Sequence, residues 1–250
     1  MRRAWLAVRS AFLWAISGIH FLIGVAIMTL CAIFLGTRRI DPAVRIFTRN
    51  VVRLAGARLT AKYAPGFDPK QTCFFIVNHV NLFDPFVLYS VIPQFVRGLE
   101  LESHFRIPIY GMLMKRFGNV PVPDVRTPAE LKRMLLLAKK SLNNGMSLIV
   151  FPEGKRTLDG RIGEFEDGSF RMAVQFGCPV VPVSTVGSFE FNRKDRWWLH
   201  PSQITVHIHD PIETKGLRKE DVPALRDRVR AIMAAPVDAY YAEREAAQRD

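Results

Sequence analysis

The chain has 250 residues, 49% of them hydrophobic, with a formal net charge of +12 and a pI near 10.1. That composition is enough for one ordinary core plus an appendage and excludes a disordered, tail-like protein. The charge calls for an anionic partner, which nucleic acid, an anionic membrane surface or phosphorylated small molecules could each supply. Three cysteines, Cys31, Cys73 and Cys178, without C-x-x-C or Cys/His spacing, indicate neither a disulfide framework nor a zinc site.

Between residues 10 and 37 there is no Lys, Arg, Asp or Glu. As a helix rising ~1.5 Å per residue this stretch exceeds the ~30 Å hydrocarbon thickness, so a membrane helix is expected. The run is too long for a cleaved signal peptide, and no small-x-small site follows it. Arginines on both sides leave two arrangements open, a tilted span and a helix that enters and leaves one leaflet. Asp41 and Pro42 read as N-cap and N1 of a second helix. Its Val44, Phe47, Val51 and Val52 mix with Arg45, Arg49 and Arg53, which suits an interfacial amphipathic helix or a core-facing one. Residues 1–57 are therefore expected to form the membrane part and residues 58–250 the second domain.

Short apolar runs at residues 72–77 (TCFFIV) and 146–151 (MSLIVF) read as buried parallel strands, and residues 179–185 and 203–208 as further strands. A capping box at Thr127, Pro128 and Glu130 opens a helix that stops at Gly145. Strands alternating with helices predict an α/β fold with a mostly parallel sheet flanked by helices. Residues 220–250 read as a peripheral helical tail interrupted by Pro223 and Pro236. His104, His200, His207 and His209 show no ligand pattern, and no metal or bound cofactor is expected. Trp197 and Trp198 suit a membrane interface or a packed loop.

The chemistry lies where two of these strands end. Directly after Val77 comes NHVNLFD, with His79 and Asp84 five positions apart at the strand edge where α/β proteins place active sites. A carboxylate-held imidazole can take a proton from a hydroxyl. In isolation the pair reads better as a histidine near an aspartate that caps a helix. After the second strand comes FPEGKRT, in which Gly154 lets the backbone approach a phosphate, Arg156 offers bidentate recognition and Lys155 adds point charge.

The sequence resembles the 1-acylglycerol-3-phosphate acyltransferase family, whose signature is N-H-x4-D followed by F-P-E-G-T-R-S. The resemblance runs from Asn78 to Gly187, with Pro108, Gly111 and Gly118 matching an intervening P-x-x-G and glycine, and Val181, Pro182 and Val183 a late V-P-V. It implies an acyltransferase fold in which His79 is the base and Asp84 its partner. A fatty acyl group would pass directly from acyl-CoA or acyl-carrier protein to the hydroxyl of lysophosphatidic acid, giving phosphatidic acid. The absence of a G-x-S-x-G elbow agrees with direct attack. Asn78, Glu153, Gly154, Lys155 and Arg156 are the expected acceptor-binding residues, and Val181 to Val183 the acyl-pocket or structural ones. Where the family often has a lysine and an arginine this chain has Glu102 and Asp124, for which Lys115, Arg116 or Arg126 could substitute. Those departures keep another lysolipid, such as lyso-ornithine lipid, as the alternative acceptor. A non-catalytic basic membrane-tethered binding protein is the alternative from another class. The expected setting is the membrane, with the catalytic domain facing the cytoplasm, membrane lipids and the thioester donor as partners, and no nucleic acid.

Overall fold

The computed structural model describes residues 2–108 and 110–247. Helices α1 (Arg2–Leu35) and α2 (Asp41–Leu54) lead into strand β1 (Ala57–Tyr63) and strand β2 (Phe74–Val77). Then come α3 (Asp84–Val91), β3 (Val96–Leu101), α4 (Tyr110–Phe117), β4 (Val120–Val122), α5 (Pro128–Asn143) and β5 (Ser147–Val150). Helix α6 (Gly168–Phe176), β6 (Val180–Val186), the short α7 (Ser188–Phe191), β7 (Ser202–Ile208) and α8 (Val222–Ala246) complete the order.

The seven strands form one sheet in the order β1-β7-β6-β2-β5-β3-β4. Every neighbouring pair is parallel except β6 and β7. β2, β5 and β6 are buried at every position, as strands covered on both faces must be. Alternate residues therefore feed two cores. Phe75, Val77 and Ile149 pack with α2 and α3 on one face, while Phe74, Ile76 and Leu148 pack on the other with α5, α6 and α8.

Three expectations are corrected. Asp41 does not cap α2; it is the first residue of that helix, with Ile40 at the N-cap, and its carboxylate takes Arg45 at 2.7 Å. The C-terminal segment is neither interrupted nor peripheral. Pro223 sits in the first turn of α8, where a missing N–H costs nothing, and Pro236 lies inside a continuous helix. Burial of Val229, Met233 and Val237 in the second core outweighs the lost helical hydrogen bond. Lastly β1, β3 and β4 were not among the expected strands.

Helix α1 lies along the body. Ser10 Oγ accepts from Leu199 N, Trp14 Nε1 donates to Trp197 O at 2.7 Å, and Ser17 Oγ donates to Val51 O at 2.9 Å. Near the far end, Arg116 donates to Ala32 O at 2.9 Å. From Ser10 to Ala32 a helix covers roughly 33 Å. Its opposite face leaves Trp5, Val8, Phe12, Ile19, Ile23, Ile27, Leu30 and Phe34 exposed. Helix α2 buries Val51 and Val52 against the core and leaves Ile46 exposed.

Candidate active site

β2 ends at Val77, and the chain turns immediately into α3. Six residues lie between, and Asp84 at the head of α3 supplies the carboxylate that organises them. Asp84 is fully buried, and its Oδ2 accepts from Val80 N at 2.6 Å, Asn81 N at 3.0 Å and His79 Nδ1 at 2.8 Å. Two of these donors are backbone amides, which fixes Oδ2 as an acceptor and assigns the third proton to Nδ1. Nε2 is thereby left as the basic nitrogen. The imidazole is about one-quarter exposed and stacks on Phe151, ring centres 4.2 Å apart.

Phe151 begins the segment after β5, so two adjacent strands converge on this ring. Thr157 N donates to His79 O at 2.9 Å, and His79 N donates to Glu153 Oε1 at 3.3 Å. The two motifs, 74 positions apart between His79 and Glu153, are thus stitched by one bond between backbones and one from a backbone amide to a carboxyl. Gly154 has φ +64, and a Cβ there would meet Glu166 Oε1 at 3.4 Å. Arg156 is half-buried and Lys155 exposed, and neither makes a side-chain hydrogen bond or ion pair with a described residue.

Burial pushes the Glu153 carboxyl up to about 7, against the opposing pull of the His79 and Gly163 amides. A carboxyl raised on folding binds its proton more tightly in the native state. It favours the fold below its ordinary value of 4.5, and that contribution is lost as pH rises to about 7. Glu153→Gln keeps an oxygen for His79 N and removes the titration. The stability gap between wild type and variant is expected to move in favour of the variant from pH 4.5 to 7, as checked by thermal unfolding at a series of pH values. A gap that stays constant over that range would show that Glu153 does not titrate there.

The remaining expected residues divide. Asn78 is buried, and its amide is bonded to Thr185: Nδ2 donates to Thr185 O at 3.1 Å, and Oδ1 accepts from Thr185 N at 2.7 Å and Oγ1 at 2.8 Å. It ties the end of β2 to β6. Val181, Pro182 and Val183 lie buried within β6, alongside β2. Arg126 pairs with Glu166 at 3.2 Å, which brings it to the loop behind Gly154. Lys115 is not brought to the histidine; it lines a separate cavity at the sheet's outer edge. Arg116 caps α1 as described, Glu102 pairs with Arg133 at 3.4 Å, and Asp124 accepts from Ser103 Oγ at 2.9 Å.

Sequence reading missed Asn81 and Ser188. Asn81 Nδ2 donates to Ser188 O at 2.6 Å, its Oδ1 accepts from Phe83 N, and Ser188 Oγ lies 3.5 Å from Asp84 Oδ1. Asn81 stands inside the histidine motif, which was the available signal; Ser188 carried none. The loop after the glycine motif is held by α8, where Arg161 pairs with Asp238 at 2.9 Å and Glu245 at 3.3 Å, and Tyr241 packs against Gly160. Among the described residues no group of three or more His, Cys, Asp or Glu is placed to hold a metal ion.

A buried carboxylate, an oriented imidazole with a free nitrogen and an unpaired arginine beside a glycine turn form a constellation suited to deprotonating the hydroxyl of an anionic substrate. Known proteins share the chain that builds it. The mouse 1-acyl-sn-glycerol-3-phosphate acyltransferase alpha is 28% identical over 192 residues, covering 76% of this chain and 67% of that protein. A chloroplastic 1-acyl-sn-glycerol-3-phosphate acyltransferase of Brassica napus is 35% identical over 144 residues, 56% of this chain and 40% of its own. This chain thus spans about two thirds of the mouse relative and less of the plant one. The crystal structure of the 1-acyl-sn-glycerophosphate (LPA) acyltransferase PlsC from Thermotoga maritima superimposes with a TM-score of 0.80 at 22% identity, over 96% of this chain and 97% of that one, and so shares the fold. The family model described as Acyltransferase matches residues 52–186, from the end of α2 through β6 and across both motifs, so this protein belongs to the acyltransferase family and is an enzyme of that class.

Proposed function

We propose that the protein transfers a fatty acyl group from acyl-CoA or acyl-carrier protein to the free hydroxyl of lysophosphatidic acid, giving phosphatidic acid. The observation that carries this reading is the His79–Asp84 pair at 2.8 Å, set against the glycine turn that presents Arg156. The names of the mouse and Brassica relatives supply the acceptor. His79 Nε2 takes the proton of the acceptor hydroxyl as its oxygen attacks the thioester carbonyl, and Asp84 stabilises the imidazolium that forms. Collapse of the tetrahedral adduct breaks the C–S bond, and the departing thiolate receives the proton from the imidazolium. Glu153, Gly154, Lys155 and Arg156 form the cradle for the acceptor phosphate, with Arg126 behind it.

The exposed apolar face of α1, with its other face fastened to the body, supports a helix immersed along one leaflet rather than one projecting away from the domain. The catalytic domain then rests on the cytoplasmic surface, where the soluble thioester reaches it. Glu102 and Asp124 sustain a second acceptor: both are acids engaged by neighbouring residues, so neither adds positive charge for a phosphate. Lyso-ornithine lipid is the alternative that follows.

Thioester-dependent acylation by the purified protein in lipid, compared across lysophosphatidic acid, other lysophospholipids and lyso-ornithine lipid, tests the assignment. Turnover on lysophosphatidic acid is the expected result, and turnover confined to another lysolipid would move the acceptor. Arg156→Ala is expected to raise KM for lysophosphatidic acid by roughly 10- to 100-fold, the loss of one charge-assisted phosphate contact of about 1.5–3 kcal/mol. An unchanged KM would remove Arg156 from the cradle.

A further inference from the structure

A cavity of about 510 Å³ lies at the outer edge of the sheet between α4, β4 and α5. None of its lining residues belongs to segments 78–84 or 151–157. Its rim carries four cations, Arg106, Lys115, Arg133 and Lys140, against one carboxylate, Glu102. Arg133 pairs with that carboxylate, and Arg106 leans toward Asp124 at 3.8 Å. Lys115 and Lys140 make no side-chain hydrogen bond or ion pair with a described residue. The wall beneath them is apolar, formed by Val120, Leu137 and Met146.

The position of the cavity narrows what it holds. Asn144 forms one lip, and its carbonyl accepts from Arg38, three residues beyond the end of α1. Arg116, the neighbour of Lys115, donates to Ala32 O in the last turns of α1. The cavity therefore opens beside the stretch where Ile33, Phe34 and Leu35 are exposed. Uncompensated ammonium groups above an apolar wall suit a phosphate ester that carries a hydrocarbon portion.

We propose that this cavity is a second ligand site, separate from the reaction centre, which takes the phosphate of an anionic phospholipid between Lys115 and Lys140. The glycerol and first methylenes of the lipid rest on Leu137 and Met146. The choice of a lipid rests on the membrane placement of α1 proposed above; a soluble phosphate ester such as CoA presents the same charged group, and the experiment carries both sources.

The full chain in neutral detergent is titrated separately with phosphatidylglycerol, phosphatidylcholine and CoA, following the midpoint of thermal unfolding. Wild type is compared with Lys115→Glu and Lys140→Glu, both at exposed positions where a charge change leaves the core intact. Phosphatidylglycerol is expected to raise the wild-type midpoint saturably and phosphatidylcholine to leave it unmoved. Either reversal should weaken the apparent affinity roughly 30-fold, because it both removes a positive charge and adds a negative one. Turnover of Lys140→Glu with saturating lysolipid should stay at the wild-type level. A response to CoA but not to phosphatidylglycerol, lost in both variants, would uphold the phosphate site and assign it to a soluble ester. Equal shifts in wild type and both variants, or no response to any of the three, would overturn the proposal.

Discussion

His79→Ala is expected to lower thioester-dependent turnover by about 10²–10⁴-fold, the usual contribution of a positioned general base. KM for the lysolipid should change little, because the ring meets the acceptor only through the proton that moves. The imidazole's other neighbours in the structure, Asp84 and Phe151, survive its removal, so the fold should remain intact. Thiol release from the acyl donor, followed continuously at saturating acceptor, makes the measurement. Turnover that persists within a few-fold of wild type would mean that the hydroxyl loses its proton elsewhere.

Substitution of Asp84 separates charge from scaffold. In Asp84→Asn the amide oxygen can replace Oδ2 and keep the protons of Val80 N, Asn81 N and His79 Nδ1, while the amide nitrogen turns toward Ser188 Oγ. What disappears is the negative charge facing the imidazolium, roughly 4 kcal/mol at an effective dielectric of ~20, or about 10³-fold in turnover. Asp84→Ala additionally leaves two buried backbone amides without an acceptor, at about 1–3 kcal/mol each. The alanine variant should therefore unfold at distinctly lower denaturant than the asparagine variant, though both are nearly inactive. Equal stability of the two would show that water or a shifted backbone satisfies those amides.

Where the sheet meets its chemistry, the sequence was legible. FFIV has no polar residue and SLIV only its first, Ser147, so the polar residues that follow each run lie at the sheet's edge. The unread strands break that pattern for identifiable reasons. VRGLEL in β3 buries Arg97, an arginine that reads as a surface residue until Asp41 at 3.7 Å and the Phe95 ring, 4.1 Å away, surround it. ARLTAKY in β1 is an edge strand with Arg58, Thr60 and Lys62 exposed. Asn78 has a structural partner that the sequence does not show. A polar residue next to a basic histidine invites a substrate role, but its partner Thr185 lies 107 positions away, and no local pattern records that pairing. Pro236 shows the same limit, since burial supplied by distant residues decided whether the helix continued.

The sheet order also has a consequence in time. β1 is the first strand to leave the ribosome, and its neighbour in the sheet is β7, the last, with Ala57 opposite Ser202. At a synthesis rate of about 5–20 residues per second, the first edge waits roughly 7–30 seconds for its mate. The charged and polar residues that alternate along β1 keep that waiting edge from recruiting a strand from another nascent chain. The turn that carries Arg156 waits longer still, because Asp238, Tyr241 and Glu245, which hold the loop behind it, are made after β7. Both motifs are thus made before the helix that braces the loop behind Arg156, and that loop gains its ion pairs only after α8 has been synthesised.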